Sequence, residues 1–208
     1  MLTAFALAVA TVLPPISVRV DVGPNIPRAV VVDTLEEAAA IWRPAGVTFE
    51  WQIVEQRSDN RTAVVTSVSC CPRTLRVTVN EDSPAVQVSS LPIGWIIFDE
   101  RGAPRPDIHL SYANALTLVR AAEGVGTMSR MTVLELRTVL SRTLGRALAH
   151  ELGHYLLASK SHTAAGLMKG SHVASEFLAP QRGTFEIDPG LKAVVEMQLR
   201  LPENVARR

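Results

Sequence analysis

The stretch from Thr132 to Ala158 reads as one long helix, and a helix of that length sets the dimensions of any fold that holds it. Thr132 and Glu135 have the spacing of a capping box, in which two side chains satisfy backbone N–H groups that a first helical turn leaves unpaired. Behind that start, Leu136, Val139, Leu140, Leu144, Ala147 and Leu148 recur at intervals of three and four residues. One face is therefore apolar and has to be covered by other elements. The pattern stops between Ala158 and Lys160.

The last third of this helix carries His150-Glu151-Leu152-Gly153-His154. A helix advances about 100° per residue, so residues four apart share a face and two imidazoles can reach one metal ion. Glu151 lies beside that face, placed to polarise a metal-bound water rather than to bind the metal. Two imidazoles do not complete a catalytic zinc site, which takes three protein ligands and leaves the fourth position to water. His162, on the loop that leaves the helix, is the nearest candidate for the third. Ring nitrogens within about 3 to 3.5 Å of one another would fit zinc bonds near 2.1 Å.

Of the remaining histidines, His109 is expected to be structural. His172 reads as an ordinary exposed histidine or as a donor to a developing oxyanion. Tyr155 points about 100° away from His154 and is expected to pack.

A chain of 208 residues with 47% apolar and 20% charged residues suits one globular domain, and a net charge of +1 gives no reason to expect nucleic acid. The uncharged run from Met1 to Leu13 is too short to span a bilayer and ends at Pro14-Pro15. We read residues 1–17 as an export signal, which makes the protein secreted or extracytoplasmic, or else as an N-terminal apolar segment of the fold. Residues 18–208 form the domain. Cys70 and Cys71 are neighbours, too close for normal disulfide geometry, and are expected to be reduced thiols in a turn.

Val18 to Val22 alternates as a strand, Ala29 to Trp42 has helical spacing with Glu36 and Glu37 on its wet side, and Val47 to Val54 alternates again. The opening is β-α-β. Ala63 to Val68, Leu75 to Val79, Trp95 to Phe98 and Ile108 to Tyr112 read as further strands, and Asn114 to Ala122 as a helix before a break at Gly124 and Gly126. Asp188-Pro189 starts a final helix with apolar Leu191, Val194, Val195 and Leu199.

The metal motif resembles that of the metzincin clan of zinc endopeptidases, in particular its matrixin-like members, whose pattern is H-E-x-x-H-x-x-G-x-x-H followed by a methionine in a tight turn. His150, Glu151 and His154 match it, as do Gly166, Leu167 and Met168, and Met168 lies 18 residues after His150 as it commonly does in matrixins. Leu157 stands where the family has glycine and Lys160 where it has its third histidine. His162 comes two residues later, so this is a divergent HExxHx7H motif. A lysine ammonium is a poor ligand at neutral pH and is not carried over.

The resemblance implies an α+β fold of three layers, with a twisted mixed sheet of about five strands, an N-terminal helix, a long active-site helix and a C-terminal helix. It also implies a monomeric zinc-dependent endopeptidase holding one catalytic Zn2+ on His150, His154 and His162, with Glu151 as general base to a zinc-bound water. A protein or peptide substrate would lie extended along Ile108 to Tyr112, the expected edge strand.

Two alternatives compete with that reading. Glu176 lies 22 residues beyond His154, the place from which gluzincins recruit a glutamate as third ligand, although Ala179-Pro180-Gln181-Arg182-Gly183 interrupts the chain close by. A non-catalytic zinc-binding interaction protein, with Lys160 blocking the site, is the other.

Overall fold

Alternating valines build the sheet. In the computed structural model, which describes residues 13–55, 75–81, 92–123 and 129–200, five strands are present: β1 (Ile16–Val22), β2 (Phe49–Glu55), β3 (Leu75–Asn80), β4 (Gly94–Phe98) and β5 (Pro104–Ser111). The helices are α1 (Arg28–Trp42), α2 (Tyr112–Glu123), α3 (Val133–Leu156), the short α4 (Ala174–Leu178) and α5 (Pro189–Arg200). The expected strand Ala63 to Val68, Cys70, Cys71, the break at Gly124 and Gly126 and most of the apolar start lie outside the described residues. No described helix is long and apolar enough to cross a membrane.

The strand order is β2-β1-β3-β5-β4, parallel except for the antiparallel β4–β5 pair. Register stacks Val18 on Leu75, Val20 on Val77 and Val22 on Val79, and then Val77 on Ile108 and Val79 on Leu110. Side chains alternate along a strand, so these residues share one face, and all are buried. The opposite face carries a ladder of charge: Asp21 pairs with Arg19 at 2.9 Å and with Arg76 at 3.5 Å, and Arg76 reaches Asp107 at 3.9 Å. His109 is on this charged face, stacked at 5.2 Å on Trp95, its cross-strand partner.

One expectation is overturned. Ile108 and Leu110 are interior to the sheet and fully buried, because β5 is flanked by β3 and β4. Among the described residues the edge beside the helix is β4, and Tyr112 begins α2 instead of ending a strand. A substrate cannot pair with a strand whose two sides are taken.

The apolar sheet face is covered by α3, which crosses α1 closely. Its start is the expected capping box: the Thr132 N–H donates to Glu135 at 2.7 Å and the Glu135 N–H donates back to Thr132 Oγ1 at 3.2 Å. Leu140, Leu144, Leu148 and Leu152 are all buried, and each contributes about 1.5–3 kcal/mol. The crossing passes over Gly145, where any Cβ would sit 2.6 Å from Glu37 Cβ and 2.8 Å from the Thr34 carbonyl oxygen. Trp42, at the end of α1, donates its indole N–H to the Ala149 carbonyl at 3.0 Å and so fixes the helices in register just before the metal motif.

Glu37 is not on a wet face. Its carboxylate side chain is largely covered and bonds Arg146, which is fully buried, at 3.3 Å and Arg182 at 2.6 Å.

Candidate metal centre

His150 and His154 point the same way from α3, as residues four apart on a helix must. Their ring centroids are 4.8 Å apart, and His162 joins them at 5.4 Å from His150 and 5.0 Å from His154. One nitrogen from each of the three lies within 4.8 Å of the others, and among the described residues no other group of histidine, cysteine or acidic side chains converges in this way. That is wider than the roughly 3.3 Å between donors around a tetrahedral zinc. His162, exposed and on a loop, is the ring best able to make up the difference.

Hydrogen bonds decide which nitrogens are free to face an ion. His150 Nδ1 lies 2.8 Å from the Leu167 carbonyl and His154 Nδ1 lies 2.7 Å from the Ser159 carbonyl. A carbonyl only accepts, so each Nδ1 carries the hydrogen and each Nε2 keeps its lone pair for a cation. Burial reinforces this by disfavouring imidazolium: it lowers the pKa of His154 and pushes that of His150 down to about 4. Both rings are then neutral at pH 7. Two neutral imidazoles with directed lone pairs, joined by a third histidine, make a donor set of the kind zinc takes.

Glu151 turns toward the sheet. It is buried, and burial pushes its carboxyl up to about 7, opposed by the backbone N–H of Ile96 on β4. The strand comes this close because Gly94 has no side chain: a Cβ there would be 3.2 Å from Glu151 Cγ and 3.1 Å from Leu110. That support from β4 is not legible in the motif itself.

The loop that closes the site begins where α3 ends, at Leu156, earlier than its sequence pattern implied. Leu157 remains helical, and it is Ala158 that adopts the left-handed turn, with φ 48°. Glycine at Leu157 is therefore unnecessary here. Lys160 lies outside the cluster, with its ammonium 5.0 Å over the Phe98 ring, and Phe98 in turn meets the His154 ring edge-on at 5.9 Å. It does not fill the site.

Beneath the rings, residues 163–169 form a tight turn. The Thr163 N–H donates to the Met168 carbonyl at 2.8 Å, the Leu167 N–H donates to the Glu186 carbonyl at 2.8 Å, and Gly166 has a φ of 76°. Met168 is buried under α3, against Gly153, where a Cβ would overlap its sulfur. Gly153 was overlooked in the motif. A glycine inside a helix costs about 1 kcal/mol, and that cost is itself a signal of close approach.

Glu176 is committed elsewhere. Its carboxylate pairs with Lys169 at 2.9 Å and accepts from the Val173 N–H at 2.8 Å, so it belongs to no metal cluster. His172 is not the exposed residue that was expected: its side chain is 4% exposed, and its buried Nε2 cannot reach a substrate.

Arg146 is the residue the sequence reading missed altogether. It sits at a core position of α3, with no exposed side chain, and donates to the carbonyls of Glu176 at 2.5 Å, Phe177 at 3.0 Å and Gln181 at 2.8 Å. Its guanidinium lies 4.9 Å over the Phe185 ring. A charged residue inside an apolar run was the available clue.

No family model matches the chain, and no curated protein matches it in sequence. A solved structure does match in shape: archaemetzincin from Methanopyrus kandleri superposes with a TM-score of 0.52 over 90% of this chain and 97% of that one, at 13% identity. At that identity the likeness concerns fold alone, and the chain has an archaemetzincin-like fold of a five-stranded, mostly parallel sheet with its helices.

Proposed function

We propose that the protein is a zinc-dependent peptidase of metzincin type, with His150, His154 and His162 as metal ligands and Glu151 as general base. The observation that carries this reading is the convergence of three histidine nitrogens within 4.8 Å beside a buried carboxyl. A fold shared with an archaemetzincin supports it.

Zinc, when bound, supplies Lewis-acid chemistry, polarising the scissile carbonyl and bringing the pKa of water towards 7. The chain supplies the rest. Ser159 and Leu167 carbonyls hold the His154 and His150 rings in one tautomer. Glu151, its carboxyl pushed up to about 7, has proton affinity matched to neutral pH, so it can accept a proton from the attacking water and pass it to the leaving amine. The substrate pairs as an extended strand with β4, the described sheet edge nearest Glu151. Phe98 and Lys160 line the rim next to His154.

Glu151→Gln tests the assignment. It should retain zinc and fold while cleavage of a denatured protein falls by about 10²–10⁴-fold, the usual contribution of a general base. Full activity in that variant removes Glu151 from the mechanism. Zinc binding with no chelator-sensitive cleavage in the wild type would instead favour a binding protein.

A further inference from the structure

Lys160 leaves the same loop as His162, and its exposed side chain crosses to the sheet. Its backbone is fixed on both sides: the Ser159 N–H donates to the His154 carbonyl at 3.2 Å, the Ser159 carbonyl accepts from the His154 ring at 2.7 Å, and the Ser161 N–H donates to Ser159 Oγ at 3.0 Å. The ammonium stands 5.0 Å over the ring of Phe98 on β4, and that ring meets His154 edge-on at 5.9 Å. The lysine thus spans from the loop to the edge strand beside the histidine cluster.

A ring face attracts a cation, which explains why the lysine lies there but not why the position holds a charge. Leucine or methionine would cover Phe98 as well. Among the described residues no carboxylate pairs with this ammonium, whereas Lys169, the other lysine between Leu157 and Phe185, is taken by Glu176 at 2.9 Å. A cation fixed beside a substrate edge without a counter-charge keeps its pairing capacity for the substrate.

Its place along that edge follows from β4. The strand passes Glu151 at Gly94, where a Cβ would be 3.2 Å from Glu151 Cγ, and Phe98 ends the same five-residue strand. A strand advances about 3.3 Å per residue, so a chain paired with β4 meets Lys160 within about four positions of the bond that Glu151 serves.

We propose that Lys160 determines specificity: it selects peptides with an Asp or Glu side chain within about four positions of the scissile bond and pairs its ammonium with that carboxylate. It takes no part in the hydrolytic step. The proposal rests on the peptidase reading of the histidine cluster.

The test uses synthetic peptides of mixed sequence, amidated at the C-terminus so that only side-chain carboxylates can answer, with the cleaved bonds read by mass spectrometry. Wild type should favour Asp or Glu at one position near the cut. Lys160→Met should lose that preference, and Lys160→Glu should turn it towards Lys or Arg. For two peptides that differ only by Glu or Gln at that position, wild-type kcat/KM should favour Glu by about five-fold, the scale of one exposed ion pair. The ratio should shrink in about 1 M salt, where charges are screened beyond about 3 Å. Binding of the same two peptides to the Glu151→Gln protein should follow the same order, because recognition precedes the chemistry. A wild-type profile without an acidic preference, or a preference that survives in Lys160→Met, would overturn the proposal and leave the peptidase reading intact. A wild type that cleaves none of the peptides would overturn that reading, and the proposal with it.

Discussion

The α1–α3 pair and the return segment from Leu157 to Phe185 meet at the candidate metal centre, but different forces hold them. The helix pair stands on a buried apolar core that includes Leu140, Leu144, Leu148 and Leu152, and is pinned by Trp42 on the Ala149 carbonyl, Ser141 on the Val30 carbonyl and Arg137 on Asp33. The return segment buries little apolar surface beyond Leu167, Met168 and Phe185, and is tied down by side chains bonding to its carbonyls. Arg146 takes three of them, Arg142 takes Leu178 at 2.8 Å, His150 takes Leu167 and His154 takes Ser159. Two of the proposed ligands, His150 and His154, stand on the helical half, and the third, His162, on the half that depends on directed bonds.

The contrast can be broken by one substitution in each half. Arg146→Ala removes a buried charge, strands three carbonyls and leaves the Glu37 carboxylate to Arg182 alone, at a cost of about 3–5 kcal/mol. Zinc affinity of the protein that still folds should fall as well, because the segment bearing His162 and Leu167 loosens. Leu148→Ala should cost about 2–5 kcal/mol through its cavity and leave zinc affinity of the folded protein nearly unchanged. Denaturant unfolding and zinc titration on both variants check this. Equal losses of affinity would mean the two halves are not distinct.

Acid titration of the metal-free protein sharpens the picture on the helix side. With His150 down at about 4, the unfolded chain takes up a proton first, so its stabilising contribution is present above 6.5 and is lost as pH falls to about 4. With Glu151 up at about 7, the folded state keeps a proton that the unfolded chain releases, and that contribution is present below 4.5 and lost as pH rises through 7. The slopes oppose each other in the window they share. Metal-free Glu151→Gln should therefore lose stability more steeply than wild type on acidification through that window, read as the urea midpoint, whereas parallel profiles would refute the assignment.

The smallest effect belongs to Ala158. An alanine at φ 48° carries strain of about 1–2 kcal/mol that glycine lacks. Ala158→Gly should raise stability by about 1 kcal/mol or less, since glycine also gains freedom in the unfolded chain. A fall in melting temperature would show that this turn is not strained.

What could be read in the sequence follows the same division. Periodicity found α1, α3 and α5, and alternation found β1, β2 and β3, because burial on one face leaves a repeating mark. His150, Glu151 and His154 were legible because a single helix fixes their mutual geometry. Strand order was not: nothing in Ile108 to Ser111 distinguishes an interior strand from an edge, and the edge role fell to Trp95 and its neighbours through long-range pairing. Nor were the bonds from Arg146 to the return segment, since their partners are carbonyls, which every residue has. Gly145 and Gly153 did leave a mark, as glycines in a helix that nothing local explains.

Metal analysis of the purified protein, wild type beside His162→Ala, tests the central claim most directly. We predict about one zinc per wild-type chain, as three-histidine sites with an open position hold, and loss of most of it in His162→Ala with the fold retained. Wild type without zinc after mild purification, or full zinc retention in His162→Ala, would contradict the account.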